Sequence, residues 1–260
     1  MSLQCYVIFH KTLYTECYEN LDKSYIEKYI KFIGVNSKIH KTVPATLEPY
    51  VVLERTLPRY NPLYQYANFC ESSVFYHVYE NSLMDPYTHV GFFQYDMIMT
   101  NQMFEIVLHL LETHPESNNL IFYHYKENSF RHLNQGVGLQ GWSIIIKIYN
   151  QLFNSNHTIE EVSEADIPLY HCYILPKDVY TQMMYFMKLV FPYLFEFLNC
   201  DGRHLPYHME RCYGIFLQLY AKEKKWIHLK GLTHSTTFKD NWQEVRDREV
   251  RDREVRDGGS

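Results

Sequence analysis

Across residues 88–100, THVGFFQYDMIMT, an apolar run from Val90 to Phe93 stops abruptly at Gln94-Tyr95-Asp96. A short unbroken apolar run is the pattern of a strand buried on both faces of a sheet. An acidic group at the end of such a strand lies at the carboxyl edge of an open α/β sheet, where these folds bind their ligands. Asp96 is therefore the first candidate functional residue. The plainer reading is that it only turns the chain, as Asp commonly does at strand exits.

The rest of the sequence supports an α/β alternation. Residues 4–9 (QCYVIF) read as a strand, 15–29 carry helical spacing and 30–35 (IKFIGV) read as a second strand, so the chain opens as a βαβ unit with a parallel sheet. Residues 61–81 read as one helix, followed by the strand ending at Gln94, a helix over 104–111 and a strand over 120–125. A helix over 142–153 and a strand over 169–175 come next. Asp178 can cap a long helix whose Val179, Met183, Phe186, Met187, Val190 and Leu194 form one apolar stripe. A further helix starts near Tyr207 and buries Cys212, Ile215 and Phe216, and residues 226–229 form a last short strand. The length of 260 residues makes one domain the default, here residues 1–240. From residue 244 the motif EVRDR repeats, so 241–260 read as a charged tail, solvated as helix or disordered.

A formal charge of −5 is too weakly acidic to point to nucleic acid or an anionic membrane, so a small polar ligand is the better expectation. Twenty-four Tyr residues suit stacking on sugars or bases as well as core packing. The six cysteines form no CxxC pair, which disfavours a zinc framework and fits reduced thiols in a cytoplasmic setting. No run approaches the ~20 apolar residues that span a bilayer, and no signal-peptide pattern opens the chain. In that setting the sequon at Asn156 carries little meaning.

Several motifs carry possible chemistry. Gly136-x-Gly138-x-x-Gly141 matches a dinucleotide fingerprint on paper but follows no convincing strand, so a loop beside the substrate cleft is the better reading. Glu210, placed in the first turn of the helix after Pro206, either complements the helix dipole or serves as a general base. His228 and His234 flank Gly231 and suit Mn²⁺, Zn²⁺ or proton transfer, although a chain with 14 histidines has many that do neither. Arg203, Arg211 and Lys230 are candidates for meeting a diphosphate. His10 and Tyr14 directly follow the first strand, which places them near a nucleotide base or ribose.

The segment NPLYQYANFCESSVFYHVYEN (61–81) followed by THVGFFQYDM, with YHCYILPKDVYTQMMYFMKLVFPYLFEFL (170–198) and RHLPYHMERCYGIFLQLY (203–220), resembles a domain family of capsular and exopolysaccharide glycosyltransferase-like proteins. The resemblance runs from about Gln4 to His234, and large DNA viruses of algae encode enzymes of this kind. It implies a GT-A type fold: an open, mostly parallel twisted sheet flanked by helices, with a nucleotide-sugar half followed by an acceptor half. It also implies a nucleoside-diphosphate sugar as donor, a glycan or glycoprotein as acceptor, and Mn²⁺ or Mg²⁺. Gln94-Tyr95-Asp96 looks like the Asp-x-Asp motif of GT-A enzymes with its first acid replaced, which leaves less negative charge for a cation. In that reading Asp96, with His228 and His234, would hold metal, Gln94 and Arg211 would contact the donor, and Glu210 would be the base. Direct displacement would invert the anomeric centre, whereas a Glu210 that only orients the acceptor would allow retention. A non-catalytic sugar-binding protein and a metal-dependent hydrolase are the rival classes.

Overall fold

The computed structural model describes residues 2–66, 69–134, 137–197 and 205–238. The strands in chain order are β1 (Leu3–Phe9), β2 (Ile30–Gly34), β3 (Val51–Leu53), β4 (His89–Gln94), β5 (Met97–Met99), β6 (Leu120–Tyr123), β7 (Lys126–Asn128), β8 (Asp166–Pro168), β9 (Tyr173–Pro176), β10 (Lys225–His228) and β11 (Leu232–His234). Seven of them form one sheet in the order β10-β6-β9-β4-β1-β2-β3. Every neighbouring pair is parallel except those of β9, which runs antiparallel to both β4 and β6. Because β9 is reversed between them, β4 and β6 still point the same way, and their carboxyl ends open on one edge.

The flanking helices are α1 (Lys23–Tyr29), α2 (Leu63–Tyr66), α3 (Ser72–Glu80), α4 (Asn101–Thr113), α5 (Ser129–Leu133), α6 (Gly138–Phe153), α7 (Ile159–Ser163), α8 (Lys177–Pro192) and α9 (Leu205–Tyr220). Side chains alternate across a strand, and β1 shows how this builds two cores. Tyr6 and Ile8 join the core formed with α3, α6, α8 and α9, while Cys5, Val7 and Phe9 join the one formed with α1 and α4. Phe92 of β4 stacks on Phe75 of α3 at 3.9 Å, and Phe75 in turn stacks on Tyr213 of α9 at 4.9 Å. The unbroken apolar runs of β1 and β4 follow from this two-sided burial.

The structure corrects several expected elements. Residues 15–29 divide into a 3₁₀ turn at Thr15–Tyr18 and helix α1, with polar Glu19, Asn20 and Asp22 between them. The single helix expected over 61–81 is split into α2 and α3, with Cys70 in the left-handed region at φ 52°. The Asn61 amide donates to Nε2 of His77 at 2.9 Å, so Nδ1 of His77 donates to buried Glu54 at 2.6 Å and folds the preceding segment onto α3. The strand expected over 169–175 is really β8 and β9, interrupted by Tyr170 and His171, both left-handed at φ 65° and 51°. Gly138 and Gly141 belong to helix α6, which follows α5 rather than a strand, so they form no loop at the substrate cleft. Gly136, Arg203 and residues 241–260 lie outside the described residues. Among the described residues no helix is long and apolar enough to cross a membrane.

Candidate active site

Strand β4 ends at Gln94, and Tyr95-Asp96 turn the chain into β5. Strand β5 pairs antiparallel with β11, placing His234 opposite Met97. The turn between β10 and β11 contains Gly231 at φ 81°, where a Cβ would lie 2.5 Å from Oγ1 of Thr100. The Thr100 hydroxyl instead donates to the Gly231 carbonyl at 2.9 Å. This clip brings Nε2 of His234 to 3.1 Å from Oδ2 of Asp96. Asp96 is 6% exposed, its backbone carbonyl accepts from the Ser235 amide at 2.9 Å, and its buried Oδ1 makes no hydrogen bond. A carboxylate oxygen taken out of water with no donor is costly, and a bound cation would offset that cost.

Tyr170 connects this pair to a second group of side chains. Its ring lies 5.8 Å from that of His234, and its amide donates to Oε1 of Glu210 at 2.5 Å. Glu210 sits in the second turn of α9, not the first as the sequence suggested, so the helix dipole, which fades beyond the first turn, does not account for it. Gly214 lies one turn further along the same face. A Cβ there would meet the Pro168 carbonyl at 2.9 Å, so the glycine lets α9 approach the segment that carries Tyr170. Glu210, Gln94, Glu71 and His171 line a common cavity of about 180 Å³.

Neither Glu71 nor His171 was picked out from the sequence. Burial pushes the Glu71 carboxyl up, but His10, by charge and by a 2.8 Å hydrogen bond, outweighs it with help from His171 and holds the group at about 2. Burial lowers the His171 imidazole against the pull of Glu210 and Glu71, which keeps it neutral. No local signal marks either residue, because a helix and a strand respectively were expected to absorb them. The two consecutive left-handed residues Tyr170 and His171 are the structural sign, since each such non-glycine residue costs roughly 1–3 kcal/mol and strained residues of this kind cluster at active sites and ligand clamps.

The structure thus joins Asp96 with His234, and Gln94 with Glu210. Tyr14 belongs to the first group, its ring 6.2 Å from Tyr95 and stacked on Phe238 at 4.9 Å. His10 is buried against Glu71. His228 lies at the exposed end of β10, its ring 5.6 Å from Tyr123 and 6.3 Å from His124. Burial, with the charges of His228 and His234, depresses His124 to about 4. Arg211 donates to the backbone carbonyls of His132 and Tyr207 at 3.2 and 2.7 Å, tying α9 to α5 rather than lining the cavity. Among the described residues no group of three His, Cys, Asp or Glu is arranged around a metal position. Beyond the ends of β2 and β3 lies a larger cavity of about 440 Å³ whose wall includes Lys38, His40, Lys41 and Arg55. Nζ of Lys41 donates to the carbonyls of His10, Asn36 and Ile39, fixing that wall to the end of β1.

The sheet order, with one reversed strand and the candidate site along its carboxyl edge, defines an open, mostly parallel α/β fold. The chain is similar to the apo structure of WbbM, a bifunctional glycosyltransferase, with a TM-score of 0.59 and 14% sequence identity over 93% of this chain and 48% of that one. The chain therefore spans about half the length of that structure. No protein-family model and no curated protein matches the sequence.

Proposed function

We propose that the protein is a glycosyltransferase that moves a sugar from a nucleoside-diphosphate sugar to a hydroxyl of a glycan or glycoprotein acceptor. The observation that carries this reading is the placement of Asp96–His234 and Glu210 on either side of Tyr170, at the carboxyl end of β4. A transferase of this kind needs a cationic partner for the departing diphosphate and a base for the incoming hydroxyl, close together but on different groups.

Asp96, whose buried Oδ1 has no hydrogen-bond partner, and His234 are the residues that would hold a divalent cation, Mn²⁺ or Mg²⁺. The cation would supply positive charge to the diphosphate as it departs. The chain's own groups carry the remaining work. Gln94 faces the cavity as a neutral hydrogen-bonding side chain, so it adds no charge beside Asp96. Tyr14, grouped with Tyr95 and Phe238, offers an aromatic surface for the base or ribose of a donor lying over the ends of β1 and β4. The basic cavity beside the end of β1 suits the anionic half of the same donor. Glu210 takes the proton of the acceptor hydroxyl as that oxygen attacks the anomeric carbon, which inverts the centre. The Tyr170 amide holds one of its oxygens, leaving the other for that proton.

Thermal shift with UDP, GDP and their sugars, with and without Mn²⁺, followed by a transfer assay on any stabilising donor, tests the reading. Stabilisation by a nucleotide sugar and transfer to an added glycan are expected. Binding of sugars without any nucleotide would favour a sugar-binding protein, and release of free sugar without transfer a hydrolase.

A further inference from the structure

We propose that His171 is a further positioning residue of this site, holding a hydroxyl of an uncharged acceptor sugar ring in the cavity shared with Glu71 and Glu210. The proposal rests on the glycosyltransferase reading for the word acceptor, but the sugar-binding property it assigns is measurable without it.

Three observations converge on it. First, His171 is 4% exposed and its Nε2 is buried with no hydrogen-bond partner, yet the residue lines the cavity. A buried polar atom normally has a partner, and one left open beside a cavity is matched by whatever enters. Secondly, the ring packs on Phe75 at 5.2 Å and on Tyr213 at 5.4 Å, so its orientation is set by the core rather than by solvent. Thirdly, its backbone is held left-handed directly after Tyr170, whose amide fixes Glu210. The same two-residue kink therefore places both the imidazole and the candidate base.

The chemistry of the lining selects the ligand. Glu71 is engaged by His10, and Glu210 by the Tyr170 amide, so the cavity presents two carboxylates, one neutral imidazole and the Gln94 amide. These groups accept from and donate to hydroxyls. They repel an anion, since like charges brought together out of water are unfavourable. The lining thus fits a neutral hydroxylated ring and disfavours a uronate or a phosphate. Lys38, Lys41 and Arg55 line the other cavity, at the ends of β2 and β3. Charge therefore divides the edge of the sheet into an anion-accepting part and a polyol-accepting part.

The test uses saturation-transfer NMR on the whole chain with methyl glycosides of glucose, galactose, mannose and xylose, and with methyl glucuronate, all without nucleotide. Saturation is expected for at least one neutral glycoside and not for the glucuronate. His171→Asn keeps a residue that tolerates the left-handed backbone but places its amide near the position of Nδ1, whereas His171→Gln reaches that of Nε2. Binding should fall at least tenfold in His171→Asn and recover in part in His171→Gln, with melting temperatures reported for both. Equal affinity in wild type and both variants, preference for the glucuronate, or no saturation by any neutral glycoside would overturn the proposal. Should neither variant fold, the wild-type comparison of neutral and anionic glycosides still decides it. Neutral sugar binding without nucleotide-sugar turnover would uphold the cavity assignment and defeat the transferase reading, and turnover without neutral sugar binding would do the reverse.

Discussion

Nε2 of His234 lies 3.1 Å from Oδ2 of Asp96, although the two residues are 138 positions apart in the sequence. The pair leaves Oδ1 open and buried. Asp96→Asn keeps the shape but deletes the charge, so donor affinity in Mn²⁺ should fall at least ~10-fold, equivalent to 1.4 kcal/mol. Titration of the variant with the donor, with and without Mn²⁺, checks this. Unchanged Mn²⁺-dependent binding would leave Asp96 as a turn residue only.

Glu210→Gln separates base from scaffold. The amide oxygen of Gln can still accept from the Tyr170 amide, so the helix and donor affinity should hold, but it cannot take a proton. Turnover should drop by ~10² or more with the melting temperature little changed. Near-normal turnover removes Glu210 from the mechanism.

Gly214→Val tests whether the approach of α9 sets the site. The added side chain begins 2.9 Å from the Pro168 carbonyl and meets Ile167 as well. Overpacking of this kind costs ~1–3 kcal/mol, and the shift of α9 should carry Glu210 off Tyr170. Denaturant unfolding and turnover are both expected to fall, and unchanged values in both would show that α9 does not depend on this contact.

The pH dependence of stability follows from Glu71. Its folded value is held at about 2, below the ordinary 4.5, so its ionised form contributes stability that is fully present above about 4.5 and is lost as pH falls towards 2. His10→Ala removes the chief opposing influence and leaves burial to raise the group. The variant should therefore be destabilised most at neutral pH, with the difference from wild type shrinking below about 4.5. Melting temperatures from pH 3 to 7 measure it, and a pH-independent difference would mean that the His10–Glu71 pair is not responsible.

The sequence revealed those parts of the fold whose cause is local. The two-sided apolar runs of β1 and β4 and the stripe of α8 follow from periodicity alone, and Asp96 was visible because an apolar run ended on it. What periodicity could not reveal depends on contacts distant in the chain. The reversal of β9 between β4 and β6, the pairing of β5 with β11, and the split at Cys70 are all settled by tertiary packing. Glu71 and His171 were hidden for the same reason, since each is defined by what it faces across the cavity. Glu210 was visible, but the proximity of Gly214 to Pro168, which explains its position, was not.

The ribbon of β5 and β11 also sets an order of events. Thr100 and Gly231, which clip it, lie 131 residues apart, and a chain made on the ribosome emerges from its amino end. Asp96 is therefore synthesised, and its strand can enter the sheet, well before its histidine exists. The Asp96–His234 pair can therefore form only after β11 has emerged, so this part of the candidate site waits on a segment made 138 residues after Asp96.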